Sequence, residues 1–432
     1  LFSNAMIARS AAQKSGGARQ AGRDHAPGQA QRFRWDGPTI TFVIPWYGPQ
    51  VPGGAELQCR RTAEEIVARG VPVEVFTTTA GGLMSDWARP TFPVGVDLVN
   101  GVRVQRFPVR ARDAQTFDRL NRRLLAGERL TLIEEAVFVR EIIGSDELEA
   151  MIAADRRRLF VFIPYMFGTT YWGARAARRA YVIPCVHDEC YAYMRLYQQA
   201  IATSHALIFN SPAELRLAQR LFTLDHCRSL MLGEGVDMDF VGSAERFRER
   251  YRINEPFVLY VGRRDDTKNT PLLLDAFARY RAAGGTLRLV CVGGPGEPLP
   301  ESLTRGGAAV ALGFVPVQDK YDAYAAATAL CQPSLKESFS LVVMESWVCG
   351  TPVLVHSDCA VTRDFCERSG GGLHFRSHDE FAGSLEWLHA HPQMARRMGR
   401  AGAAYVRAHF NWDAIITRLL AFLRDEGENE CR

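Results

Sequence analysis

The sequence has no long uninterrupted apolar run, little net charge and no paired-cysteine framework. Its apolar stretches are strand-length and broken by charge, which excludes a membrane-spanning helix. The 52 basic and 48 acidic residues leave a net charge of +4 over 432 residues, and no nucleic-acid partner is inferred from so small a surplus. The ten cysteines are scattered, without a close Cys-x-x-Cys pair, which favours reduced thiols in a cytosol over a disulfide scaffold. Between Gln13 and Gln31 there is no continuous apolar segment, so the basic N-terminus does not read as a signal peptide.

What is present is an ordinary globular balance, 47% hydrophobic and 23% charged, in a chain long enough for two domains of about 200 residues each. Ser3-Asn4-Ala5 before Met6 resembles the scar of a cleaved tag, and residues 1–37 read as tag remnant and mobile tail. Regular structure is expected from Ile40–Ile44, a buried strand followed by a Gly- and Pro-rich loop. A helix over Ala55–Arg69, stopped by Gly70, then leads to a strand at Val73–Thr77. Further strands are expected at Leu159–Ile163, Tyr181–Pro184 and Ala206–Phe209, with an arginine-bearing insertion over Arg103–Arg158 that is mostly helical from about Asp113 to Ala153.

The second half repeats the alternation. Strands are expected at Phe257–Val261, Leu287–Val292, Ala308–Leu312, Ala329–Gln332 and Pro352–His356, with helices between them. The charged stretch Ser243–Glu255 has no strand pattern and reads as a linker. The fold class is α/β, with an N-terminal Rossmann-like domain over 38–242, a C-terminal one over 255–410, and a terminal helix over 411–432 that can return to the N-terminal domain.

Glu337 and Glu345 are the candidate functional carboxylates. The first lies in a loop after an apolar strand and the second one turn into the following helix. A helix start presents unpaired N–H groups and the positive end of the peptide dipoles, which favours a phosphate, and flanking carboxylates can accept sugar hydroxyls. Arg263 and Lys268 add a planar fork and a compact charge suited to phosphate oxygens. Each feature also has a plainer reading: a solvated carboxylate, a helix-start residue, a charged turn through Arg263-Arg264-Asp265-Asp266. His187 after a strand can equally be a packed histidine, and Gly53-Gly54 a purely geometric turn.

Taken in order, the motifs resemble the family 4 retaining glycosyltransferases of bacteria, the glycosyl transferases group 1. They are Gly53-Gly54-Ala55-Glu56, His187-Asp188, Asn210-Ser211, Gly235-Val236-Asp237, Gly262-Arg263 with Lys268-Asn269, Pro333-Ser334 leading to Glu337-Ser338-Phe339 and Glu345-Ser346, and Gly350-Thr351-Pro352-Val353. The resemblance spans roughly residues 39–424. It implies the GT-B architecture, two Rossmann-like parallel α/β domains facing a central crevice, and transfer of a sugar from a nucleoside-diphosphate sugar such as a UDP- or GDP-sugar. It further implies retention of anomeric configuration, no cofactor and no metal.

By the same resemblance, Arg263 and Lys268 grip the diphosphate, Glu345 the ribose and Glu337 the donor sugar. His187 hydrogen-bonds that sugar near the reacting carbon. Gly53, Gly54, Gly262 and the run Ser338, Phe339, Ser340 and Leu341 line the nucleotide. The acceptor is a glycan, a lipid-linked sugar or a small molecule, and the enzyme is expected in the cytoplasm, at most peripherally bound at the inner face of the membrane.

Two metal-like signals are set aside. Asp237-Met238-Asp239 has a D-x-D form, but its Gly235-Val236-Asp237 context fits the GT-B pattern instead. Cys185, His187 and Cys190 lack a second ligand pair of matching spacing and read as ordinary buried thiols and a histidine. Thr267, Ser338 and Ser340 depart from the family's usual residues, which leaves the donor sugar open. Arg119, Arg122 and Arg123 read as a solvated face or as a route for an anionic acceptor. A nucleotide-sugar epimerase and a catalytically silent nucleotide-sugar binder remain alternatives on the same fold.

Overall fold

The computed structural model describes residues 33–424 apart from His226 and Pro295. Two sheets organise them. The first contains β1 (Ile40–Val43), β2 (Val73–Thr78), β3 (Gly95–Val99), β4 (Val102–Phe107), β5 (Leu159–Phe162), β6 (Ala180–Val182), β7 (Ala206–Phe209) and β8 (Arg228–Met231). Their spatial order is β3-β4-β2-β1-β5-β6-β7-β8. The second contains β9 (Phe257–Val261), β10 (Arg288–Val292), β11 (Ala309–Gly313), β12 (Ala329–Gln332), β13 (Val353–His356) and β14 (Gly372–Phe375), in the order β11-β10-β9-β12-β13-β14.

The second sheet is parallel throughout. Counted from β9, its order is the doubly wound 3-2-1-4-5-6, whose topological switch lies between its first and fourth strands, β9 and β12. Strand centres such as Phe257–Val261 and Ala329–Gln332 are buried on both faces, as parallel strands covered by helices require. The apolar runs read as strands on both halves of the chain correspond to β1, β2, β5, β6, β7 and β9 to β13, with ends shifted by a few residues at most.

Three features differ from the expected organisation. Two strands stand where none was expected: β3 and β4 form an antiparallel hairpin with Val99 opposite Val102. Asn100 and Gly101, at φ 49° and 81°, make the two-residue turn that matches the twist of the strands. Beyond it the insertion is helical, over Ala114–Leu125, Leu132–Glu141 and Asp146–Ala154. The supposed linker over 243–255 contains a helix, Ala244–Tyr251, capped by the Ser243 hydroxyl on the Arg246 N–H. It is held by buried Phe247, by Arg246 on Asp322 at 2.6 Å and by the Tyr251 hydroxyl on Asp319 at 2.6 Å, so charge here marks one exposed helix face. Most of the expected tail, residues 1–32, lies outside the described residues, but Phe33 is tied to the Arg69 carbonyl at 3.1 Å.

Contacts divide the described chain into two units. One comprises residues up to Val51 with Cys59–Tyr181 and Glu189–Ser204; the other comprises Pro52–Gln58, Val182–Asp188 and everything from His205 onward. The second unit therefore takes more than residues 255–410. Arg216 bonds Asp364 at 2.8 Å, Arg228 lies 4.9 Å from the Phe422 ring, and the Trp412 indole donates to Asp237 at 2.7 Å. These contacts join residues 205–242 and the terminal helix Trp412–Arg424 to the same body. Within it, the helix Pro392–His409 lies against the helix Leu341–Val348. A Cβ on Gly399 would stand 1.8 Å from the Gly350 carbonyl oxygen, and only glycine permits that approach. No helix of the described residues is long and apolar enough to cross a membrane.

Candidate active site

Open parallel sheets bind ligands outside the carboxyl ends of their strands at the topological switch. In the second sheet those ends are Gly262-Arg263 after β9 and Pro333–Glu337 after β12. The turn after β9 is built by Asp265, whose carboxylate accepts from the Thr267 hydroxyl at 2.5 Å and the Lys268 N–H at 3.1 Å. Thr267 in turn accepts from Arg263 at 3.3 Å, and the Tyr260 hydroxyl donates to the Arg263 carbonyl. Arg263 is thus oriented while more than a third of its side chain stays open to solvent.

Lys268 and Glu337 meet across this switch, Nζ to Oε1 at 2.8 Å. The Gln332 amide at the end of β12 donates to the same oxygen at 3.3 Å, which fixes the carboxylate from a second direction. Asn269 Nδ2 bonds the Pro333 carbonyl at 3.0 Å and ties the two loops together. Ser340 stands at φ 79° as the residue before the helix Leu341–Val348, and its side chain makes no capping hydrogen bond. The Val343 N–H donates to the Ser340 carbonyl at 3.1 Å, so the N–H groups of Leu341 and Val342, with the positive dipole end, are the ones that face an anion. Phe339 packs inward on Phe365 and Phe410 at 5.5 and 4.8 Å, so it anchors the loop that carries Ser338 and Ser340.

Glu345, 8% exposed, is held at both oxygens: Lys320 Nζ at 2.6 Å and the Tyr324 hydroxyl at 2.8 Å. The two partners stand four apart on the helix Val317–Ala326 and so share one face. Each carboxylate oxygen keeps a lone pair for a further donor. Burial, reinforced by the Glu345 charge, pushes the Tyr324 hydroxyl well above its ordinary pKa, so it stays a donor.

The glycine pair and His187 belong to the same contact unit. Gly53 adopts φ 144° immediately before the helix Gly54–Ala68, and the Glu56 carboxylate folds over it, 1.8 Å from where a Cβ would stand. The turn bearing half-buried His187 is fixed from behind by Glu214, whose oxygens accept from the Val186 N–H at 2.8 Å and the Asn210 N–H at 2.7 Å. Burial pushes the Glu214 carboxyl up to about 7, against the opposing effects of those N–H donors and the His187 charge. Cys185 is a buried thiol facing Gln58 and Asn210 at 3.7 and 3.6 Å, and burial keeps it protonated. The Asp237 carboxylate accepts from Trp412, a structural use.

Of the residues singled out from sequence, Arg263, Lys268, Glu337 and the Ser338–Leu341 run gather at the switch of the second sheet. Gly262 stands beside them at φ 150°, with its N–H on the Val292 carbonyl at 2.9 Å. Glu345 stands one turn along the same helix, its carboxylate turned to Lys320 and Tyr324. Gln332, Lys320, Tyr324 and Glu214 escaped the sequence reading. Tyr324 and Lys320 carried a signal in their four-residue spacing. Glu214 had one in Ser211-x-x-Glu214, the form of a capping box: the Ser211 hydroxyl accepts from the Glu214 N–H, and the Glu214 carboxylate also reaches the N–H groups of Val186 and Asn210.

Comparison with known proteins gives this arrangement a context. A family model described as glycosyl transferases group 1 matches residues 243–405. The D-inositol 3-phosphate glycosyltransferase of Segniliparus rotundus is 27% identical over 412 residues, covering 88% of this chain and 86% of that protein. Among solved structures, sucrose-phosphate synthase from Thermosynechococcus elongatus superposes with a TM-score of 0.66 at 18% identity, covering 90% of this chain and 98% of the other. Anabaena HepE in complex with UDP-glucose does so with 0.63 at 16%, covering 90% and 100%. Both sheets, the motif order and these matches show a glycosyltransferase on the GT-B fold, similar over residues 243–405 to the glycosyl transferases group 1.

Proposed function

We propose that the protein transfers a sugar from a nucleoside-diphosphate-sugar donor, without a metal ion and with retention, to a glycan, lipid-linked or small-molecule acceptor. The observation that carries the donor class is the convergence of Arg263, Lys268, Glu337 and an uncapped helix start at the switch of the second sheet. Departure of a nucleoside diphosphate builds charge on phosphate oxygens, and oriented cations with helix N–H groups lower that barrier. Arg263 and Lys268 supply this positive charge, which is the support for metal independence. Glu345, buffered by Lys320 and Tyr324, takes the ribose hydroxyls; Glu337 and His187 orient the sugar ring. None of these groups needs to act as a nucleophile. Retention rests on the family resemblance, and the departing phosphate accepts the acceptor's proton.

The solved HepE structures that resemble this chain hold UDP and UDP-glucose, and the curated relatives are named for D-inositol 3-phosphate. UDP-glucose and a phosphorylated cyclitol are therefore the first donor and acceptor to try. We place the enzyme in the cytoplasm, with at most peripheral membrane contact. Titration with UDP, GDP and ADP and their sugars, followed by donor turnover in the presence of EDTA, tests the reading. Binding of one nucleotide with chelator-resistant release of it from its sugar is expected. Binding without any turnover would instead mark a silent nucleotide-sugar binder.

A further inference from the structure

Glu234 follows β8 between Gly233 and Gly235, and neither the sequence motifs nor the roles above use it. The backbone around it is pinned from two sides. The N–H groups of Leu232 and Gly233 donate to the Phe209 carbonyl at 2.9 and 3.2 Å, next to Asn210, whose own N–H is held by Glu214. On the other side the Val236 N–H donates to the Phe410 carbonyl at 2.9 Å, and the Phe410 ring meets Phe339 edge-on at 4.8 Å. Gly233, at φ 82°, lies so near Phe410 that a Cβ would stand 2.6 Å from the ring. Glu234 is therefore held between the turn that positions His187 and the loop that carries Glu337.

Its side chain is only 6% exposed, and Oε2 is enclosed without a hydrogen-bond partner. Burial and the nearby charges of Glu214 and Glu337 hold its carboxyl well above the usual range. A buried polar atom left unpaired weakens the fold, so its retention calls for a partner from outside the chain, a ligand atom or a water. A sugar hydroxyl suits this place, because it both donates and accepts and so serves either protonation state. An acidic sugar does not, since a fourth carboxyl group would join those of Glu214, Glu234 and Glu337.

We propose that Glu234 is a substrate-binding residue that hydrogen-bonds a hydroxyl of the transferred sugar and, with Glu337, restricts the donor to neutral sugars. This rests on the donor reading above. The test is calorimetric titration of the full chain and its E234A and E234Q variants with UDP and GDP, with UDP-glucose and GDP-mannose, and with UDP-glucuronate and GDP-mannuronate. In the wild type, the neutral sugar should add to the affinity of its nucleotide, and the acidic sugar should bind at least tenfold more weakly. E234A should lose at least tenfold in affinity for the neutral nucleotide-sugar while binding the bare nucleotide within twofold of wild type. E234Q should lose less and narrow the neutral-to-acidic gap. Equal losses for nucleotide and nucleotide-sugar, or an unchanged ratio between them in both variants, would overturn the role of Glu234 while leaving the donor site standing. A wild type that binds neither nucleotide would overturn both readings.

Discussion

Glu214 links the pH dependence of stability to the geometry of the site. It is a fully buried carboxyl accepting from two backbone N–H groups, and burial raises it from its ordinary 4.5 to about 7. Because the folded-state value lies above the unfolded one, the folded chain holds a proton between pH 4.5 and 7 that the unfolded chain has released. The corresponding stability is complete below about pH 4.5 and is lost as pH rises through 7. At about 1.4 kcal/mol for each pH unit between the two values, the loss amounts to about 3 kcal/mol. Glu214→Gln removes the titration and keeps the size. It also sets an amide NH₂ against one of the two N–H donors, a cost of about 1–3 kcal/mol that does not vary with pH. Urea midpoints measured from pH 4.5 to 8 in wild type and variant give a difference curve in which groups not coupled to Glu214 cancel, while Glu234, raised in part by the Glu214 charge, contributes with it. The wild-type midpoint should fall relative to the variant across that range by about 1 M, at about 3 kcal/mol per molar urea. Parallel curves would refute the assignment of a raised, buried carboxyl.

Lys268→Met and Glu337→Gln should each lower kcat by on the order of 100-fold. Because the two side chains form one ion pair, the double variant should lose less than the product of the single losses; a fully multiplicative loss measured by steady-state kinetics would contradict a shared role. Gly53→Ala forces a side chain into φ 144° and into the Glu56 carboxylate, so thermal unfolding should report a loss of more than about 1 kcal/mol and the donor KM should rise. An unchanged variant on both measures would show that the turn does not require glycine.

Much of the architecture was legible because strands and turns are written locally. Phe257–Val261 and Ala329–Gln332 are short apolar runs, and a run of that length bounded by turn residues has little choice but a buried strand. The hairpin was equally local, with Asn100-Gly101 between two valines, but no strand was read there. Arg106 is in fact buried, donating to the Tyr47 carbonyl at 2.8 Å, so a charge in the sequence did not mean an exposed face. The helix over Ala244–Tyr251 was missed for the converse reason: one buried aromatic and two partners some seventy residues away hold a segment whose own composition is nearly all polar.

The sequence alone determined which residue types were available for the chemistry and in what order they come: two cations after one strand, a carboxylate after another, a second carboxylate one helical turn on. Their assembly was decided only in three dimensions. Lys268 and Glu337 are 69 residues apart along the chain and meet because the sheet order sets β9 beside β12. The partners of Glu345, the orientation of the His187 turn by Glu214 and the enclosure of Glu234 likewise depend on side chains from distant elements reaching one buried volume. Periodicity reports which face of an element is apolar. It carries no information on which other element that face, or a polar group beside it, will meet.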